Sequence, residues 1–146
     1  MGGQSERLVL RLSCVLHAPD ETVFRALTDP GLLAKWWGPS GFTTPGIDLD
    51  LRVGGRYRFG MQPPVGDLFH LTGEFLEVRP PRRLVYTFRW EEPDPDDRET
   101  VVELAVSPVG DGAELSLSQG DFATPARLEL HRSGLARQLR EASRTR

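Results

Sequence analysis

A single cysteine, Cys14, in 146 residues excludes an internal disulfide framework and fits a reducing compartment. No run of apolar residues approaches the ~20 that a membrane span requires, so no membrane association is expected. Residues Met1 to Arg7 lack a basic stretch followed by an apolar one, which argues against a secretory leader, and Glu6 stands where a myristoylation signal needs Ser or Thr. A cytoplasmic location is the expectation. The three histidines, His17, His70 and His131, are dispersed and no Cys-x-x-Cys occurs, so a metal site has little basis and no cofactor is implied. The arginines of the carboxy-terminal segment have no aromatic residue among them, which removes base stacking and leaves nucleic acid unsupported as a partner.

What is present describes one folded domain spanning 1–146. Hydrophobic residues make up 38% and charged residues 27%, with a net charge of -3, so the chain can bury a full core without staples. The charge is unevenly spread. Glu91 to Glu103 holds seven acidic residues and Arg98, whereas Ala126 to Arg146 holds six arginines against Glu129 and Glu141. Glu91 to Asp97, with two prolines and five carboxylates, reads as a solvated hairpin loop, and the basic end as the solvated face of a terminal helix.

Leu8, Leu10, Leu12, Cys14 and Leu16 alternate along a first strand with one buried face, which makes Cys14 core rather than nucleophile. Asp20 and Glu21 suit the positive end of a helix carrying Val23, Phe24 and Leu27. Asp29-Pro30 starts a second short helix that Gly38-Pro39 stops just after Trp36-Trp37. Adjacent tryptophans cannot share one helical stripe: Trp36 falls with Leu32 and Leu33 and is assigned to the core, leaving Trp37 as a lid or contact. From residue 42 to residue 119 there is no helical period, only alternating segments at roughly 43–53, 56–62, 68–79, 82–91, 99–108 and 113–119, a meander of six strands.

Side-chain parity tests the turn at Val53-Gly54-Gly55-Arg56. A two-residue loop would mix charge with core on both faces, so a three-residue loop is expected, pairing Leu51 with Tyr57, Leu49 with Phe59, Ile47 with Met61 and Asp50 with Arg58. Asp48 and Asp50 then lie away from the aromatics and read as surface charge rather than as a general acid and base. Tyr57, Phe59, Met61, Phe69, Tyr86, Phe88 and Trp90 fall on the inward face, and Leu76 and Val78 break parity with Phe75, which predicts a bulge. A last helix, from the cap Thr124-Pro125 to about Ala142, places Leu128, Leu135, Leu139 and Ala142 on one face. His131 shares it, either as a histidine satisfied by a hydrogen bond or as a polar contact to a ligand.

Four collinear pieces carry a family resemblance: Ala18 through Pro30, Trp36-Trp37-Gly38-Pro39, Asp50 through Phe59, and Gly73 through Trp90. In these the chain resembles the SRPBCC (START-like) superfamily, in the branch homologous to activators of the Hsp90 ATPase. The resemblance implies an α+β helix-grip fold of the START-like or Bet v-like kind. That fold has a curved antiparallel sheet of about seven strands wrapped on a long C-terminal helix, two short helices after the first strand, and a cavity between sheet and helix. Members often carry Gly-Trp where this chain has Gly134-Leu135, which widens one end of that cavity. The family's eukaryotic activators also use a separate amino-terminal domain that nothing here resembles, so the branch name is not read as the activity.

The favoured function is binding of a small hydrophobic or aromatic ligand by Trp37, Tyr57, Phe59, Met61, Phe69, Tyr86, Phe88, Trp90 and His131. An interaction protein, such as a chaperone partner using the acidic loop or Trp37, is one alternative. A cyclase or hydrolase using the same cavity is the other; only His131, Tyr57 and Tyr86 qualify by parity as its acid or base, and Glu74, Glu77 or Arg89 turned inward would strengthen it. No catalytic residue is assigned, and a monomer or a homodimer is compatible with the composition.

Overall fold

A computed structural model describes residues 8–36 and 41–144, with side chains described as far as Leu135 except that of Trp36. Seven strands run in chain order as β1 (Leu10–Leu16), β2 (Thr43–Leu49), β3 (Arg56–Gln62), β4 (Phe69–Arg79), β5 (Arg83–Trp90), β6 (Thr100–Val109) and β7 (Gly112–Gly120). They form one antiparallel sheet in the order β1-β7-β6-β5-β4-β3-β2. The meander from β2 to β7 is thus closed by the first strand, which pairs on the far edge through Leu10 opposite Gln119 and Leu16 opposite Ala113. Helices α1 (Asp20–Thr28) and α2 (Pro30–Trp36) fill the connection from β1 to β2, and α3 (Pro125–Arg144) ends the chain.

Local chemistry accounts for each boundary. Asp29 caps α2, its carboxylate accepting from the Leu32 N–H at 3.1 Å, and Pro30 opens the first turn, where a missing N–H costs nothing. Thr124 caps α3 in the same way, its hydroxyl accepting from the Arg127 N–H at 3.1 Å. In β1 the residues Leu10, Leu12, Cys14 and Leu16 turn inward while Arg11, Ser13 and Val15 are exposed. Burial, with Glu114 nearby, pushes the Cys14 thiol upward, away from the thiolate a nucleophile needs. The bulge expected beside Phe75 is present: the β4–β5 register shifts between Phe75 and Glu77, and Leu76 is turned out.

The β2–β3 connection differs from expectation by two residues. Leu49 pairs with Tyr57, Asp48 with Arg58 and Ile47 with Phe59, so the loop runs from Asp50 to Gly55 rather than from Val53 to Gly55. Gly54 and Gly55 are tied across to β4 instead: the Gly54 N–H donates to the Phe75 carbonyl, and the Phe75 N–H to the Gly55 carbonyl, each at 2.9 Å. Gly54 takes φ +85°, and a Cβ on Gly55 would collide with the Asp50 carbonyl oxygen, so both positions require glycine. A shift of two preserves facing, and the aromatics still point inward. The ion pairs change, however. Asp50 pairs with Arg52 at 2.7 Å, while Arg58 grips Glu91 through two contacts of 2.8 Å.

The buried apolar side chains form one cluster that runs from α1 across the sheet to β3, β4 and β5. Under α1 it includes Val23, Phe24, Val106 and Ala113. Helix α1 packs on β6, β7 and α2, whereas α3 makes its closest backbone approaches to β1 and α2. The inward faces of β3, β4 and β5 receive no such helix, and the space left over them is the candidate site.

Candidate functional site

A cavity of about 710 Å³ lies between the sheet and α3. Its sheet wall carries Tyr57, Phe59 and Met61 from β3, Phe69, Leu71 and Phe75 from β4, and Tyr86, Phe88 and Trp90 from β5. Period-two alternation brings these side chains to one face, where the rings pack in two groups, Tyr57 with Phe59, Phe75 and Tyr86, and Trp90 with Phe69 and Phe88. Tyr57 and Tyr86 centroids are 5.4 Å apart, Phe88 and Trp90 5.2 Å, and Phe69 and Trp90 5.3 Å. Leu27 and Leu33 close the side toward the short helices, and His131, Gly134 and Leu135 come from α3.

Eight of the nine residues expected to form the site therefore line one cavity. The ninth, Trp37, lies outside the described residues, as does the side chain of Trp36 that was assigned to the core. Alternation in β6 and β7 adds Leu104, Leu115 and Leu117, and the loop before β2 adds Phe42. The inward parity of those strands was the signal that could have named them. Glu74, Glu77 and Arg89, which turned inward would have strengthened an enzymatic reading, are not among the lining residues. Glu77 instead pairs outside with Arg79 and Arg83, at 2.7 and 3.1 Å.

The polar groups of the cavity differ in how they are satisfied. Tyr57 is structural: its hydroxyl donates to the Thr87 carbonyl at 2.6 Å. To reach β5 from β3 its ring must cross β4, and it does so over Gly73, where a Cβ would sit 2.6 Å from the ring. Tyr86 also lines the cavity and is buried enough for its phenol to be held well above the usual range, yet its hydroxyl has no hydrogen-bond partner among the described residues. His131 sits among Phe88, Trp90 and Phe122, with centroids at 5.5, 6.4 and 4.9 Å. It too has no hydrogen-bond partner among the described residues. Burial first, and the Arg127 charge second, lower its pKa to about 4, against a smaller opposing pull from Asp97. The ring is therefore neutral at ordinary pH, with one donor nitrogen and one acceptor nitrogen.

The rim is acidic, and its acids are organised. The loop between β5 and β6 is largely exposed, as the composition suggests, yet it is tied to α3. Asp94, Asp96 and Asp97 converge on Arg127 of α3 at 2.8, 3.1 and 3.2 Å. The Asp97 carboxylate also accepts from the Asp94 N–H at 2.8 Å, and the Asp96 carboxylate from the Thr124 hydroxyl at 3.2 Å. Hydrogen bonding to Arg127 holds the Asp96 carboxyl below its ordinary value. One arginine thus fastens the acidic loop to the first turn of α3. Charge asymmetry was visible in the sequence, but the pairing across some thirty residues of chain was not.

At the rim of the cavity, His70, Glu91 and Glu92 bring three possible metal-ligand atoms within 4.8 Å of one another. Two of these groups are already engaged. Glu91 holds Arg58 bidentately, and Glu92 accepts from the His70 backbone N–H at 3.0 Å. A cation there would have to displace the Arg58 guanidinium from Glu91.

A seven-stranded antiparallel sheet closed on a carboxy-terminal helix, with two short helices after the first strand and a cavity between, is the helix-grip architecture of START-like proteins. Within that class, residues 17–142 match the model of the activator of Hsp90 ATPase homolog 1-like proteins, and the chain belongs to that family. A crystal structure of a protein from Chromobacterium violaceum is similar at a TM-score of 0.80 and 32% identity, over 92% of this chain and 94% of that one. One from Rhodobacter sphaeroides gives 0.78 and 32%, over 98% of this chain and 91% of that one. The family protein from Silicibacter pomeroyi gives 0.78 and 28%, over 92% and 94%. No curated protein matches the sequence. Among the described residues, no helix is long and apolar enough to cross a membrane.

Proposed function

We propose that the protein binds a small hydrophobic or aromatic molecule in the cavity between the sheet and α3. The observation that carries this reading is the cavity itself, about 710 Å³ and walled by Tyr57, Phe59, Phe69, Tyr86, Phe88 and Trp90. A core whose rings merely filled space would close on itself, because each unfilled gap forfeits dispersion contacts. Ligand sites of drug-sized molecules occupy roughly 300–1,000 Å³ and combine apolar walls with a few polar groups, and this space has both.

Native mass spectrometry of the protein purified from its own host tests the reading. A reproducible adduct that disappears in a Gly134→Phe variant is the expected result. A Cβ at position 134 meets nothing within 4 Å, so a ring placed there can occupy the cavity. A clean apo spectrum, together with no uptake of naphthalene-sized probes, would overturn it.

A further inference from the structure

The charges around the cavity restrict what can enter it. Of the described lining residues, Glu92, Asp94 and Asp97 carry carboxylates and Arg127 alone carries a positive charge. That guanidinium is already shared among Asp94, Asp96 and Asp97 and is only 16% exposed. Glu92, by contrast, remains 54% exposed and pairs with no arginine among the described residues; its contacts there are to the backbone N–H and ring of His70. A ligand carboxylate would pass an acidic rim and reach a cavity with no uncommitted cation among the described groups. Burying an unpaired ionised carboxylate is among the costliest steps available to a protein.

Inside, the polar groups without partners are uncharged. The Tyr86 hydroxyl can donate or accept, and neutral His131 offers one donor and one acceptor. Groups of this kind satisfy a hydroxyl, an amide or a carbonyl on a ring system, and leave a carboxylate uncompensated.

Resting on the ligand-binding reading above, we propose that the cavity selects uncharged or cationic aromatic molecules bearing one hydrogen-bonding substituent, and rejects carboxylates, with Tyr86 and His131 as the polar contacts and Glu92 as part of the excluding rim. Rejection comes from the rim and from the absence of a counter-charge. Acceptance comes from the two neutral side chains.

Isothermal titration of the full chain at pH 7.5 with 2-naphthalenemethanol, 2-naphthalenemethylamine and 2-naphthoate, three probes of nearly one shape, separates the possibilities. The alcohol and the amine are expected to bind, and the acid at least tenfold more weakly than the alcohol. Tyr86→Phe and His131→Gln, both checked for unchanged fold by circular dichroism, should each weaken the alcohol about three- to tenfold. Glu92→Gln should narrow the gap between acid and alcohol by several-fold. Equal or tighter binding of the acid overturns the charge selection while leaving the cavity a binding site. Alcohol affinity indifferent to both Tyr86→Phe and His131→Gln overturns their assignment as contacts. Failure of all three probes to bind removes the ligand-binding reading itself, and this inference with it.

Discussion

The two parts of the core are built from similar residues and end differently. Under α1, Val23, Phe24, Val106 and Ala113 are at most 5% exposed and none lines the cavity under α3. Under α3, an aromatic sheet wall and the α3 residues His131, Gly134 and Leu135 enclose a cavity. The difference lies in the helices. The short α1 presents Val23 and Phe24, a valine and a ring, directly to β6 and β7. The long α3 reaches the wall through His131, which packs on Phe88 and Trp90, but beside it Gly134 presents no side chain, and that part of the wall stays uncovered. The unfilled volume thus lies where α3 carries Gly134, at which an added Cβ meets nothing within 4 Å.

If that division is right, truncation should cost most in the solid part. Phe24→Ala removes a ring that is 5% exposed and should destabilise the fold by about 3–5 kcal/mol. Leu135→Ala, at a half-buried side chain facing the cavity, should cost about 1–2 kcal/mol. Urea denaturation of both variants measures the contrast, and equal losses would erase it.

The hollow part has one point where nothing can be added. Gly73→Ala would drive a methyl group into the Thr87 carbonyl and the Tyr57 ring, and should cost about 3 kcal/mol while breaking the hydrogen bond from Tyr57 to β5. Coupling the variant with Tyr57→Phe checks the mechanism. The two losses should add to much less than their sum, since each disrupts the same crossing.

A third effect separates the parts by pH. The folded pKa of His131 lies near 4, below the ordinary value of 6.5. The unfolded chain therefore binds the proton more readily, and stability must fall as pH drops from about 6.5 toward 4. Arg127, on the same helix, disfavours the proton, while Asp97 in the loop beneath favours it; Glu92 and Asp94 also face the cavity. The shift corresponds to a loss on the order of 3 kcal/mol across that window. Because carboxylates titrate there as well, the quantity to measure is the difference in pH dependence between wild type and His131→Leu, expected to show a shallower acid limb in the variant. Parallel limbs would mean the histidine is solvated in the folded state.

How much of this was readable beforehand follows from the range of each interaction. The strand segments, the bulge beside Phe75, the cap at Thr124 and the inward set from Tyr57 to Trp90 are all fixed by neighbours within a few residues, and alternation exposes them. The β2–β3 register was missed because Gly54 and Gly55 bond to Phe75 on the other neighbouring strand, a choice invisible to a hairpin considered alone. Likewise Tyr57 was readable as inward-facing but not as anchored, since its partner Thr87 lies two strands away across a glycine. The acidic loop was read as solvated because its composition resists compaction, yet Arg127 supplies the counter-charge that lets it dock. Local periodicity located the cavity wall; only tertiary pairing decides which of its polar groups remain available.

The smallest predicted effect has opposite signs in the two parts. Gly134→Ala places a methyl group where nothing lies within 4 Å, in a helix interior, where alanine is favoured over glycine by about 1 kcal/mol. It should raise stability by about that amount, with the added methyl taking up little of the cavity. Ala113→Val adds two methyl groups where the existing side chain is 0% exposed, and should destabilise by about 1–3 kcal/mol. Thermal melts of the two variants against wild type decide the matter. A stabilised Gly134→Ala beside a destabilised Ala113→Val establishes that unfilled volume is confined to the space under α3. Two shifts of the same sign would show that the two parts are packed alike.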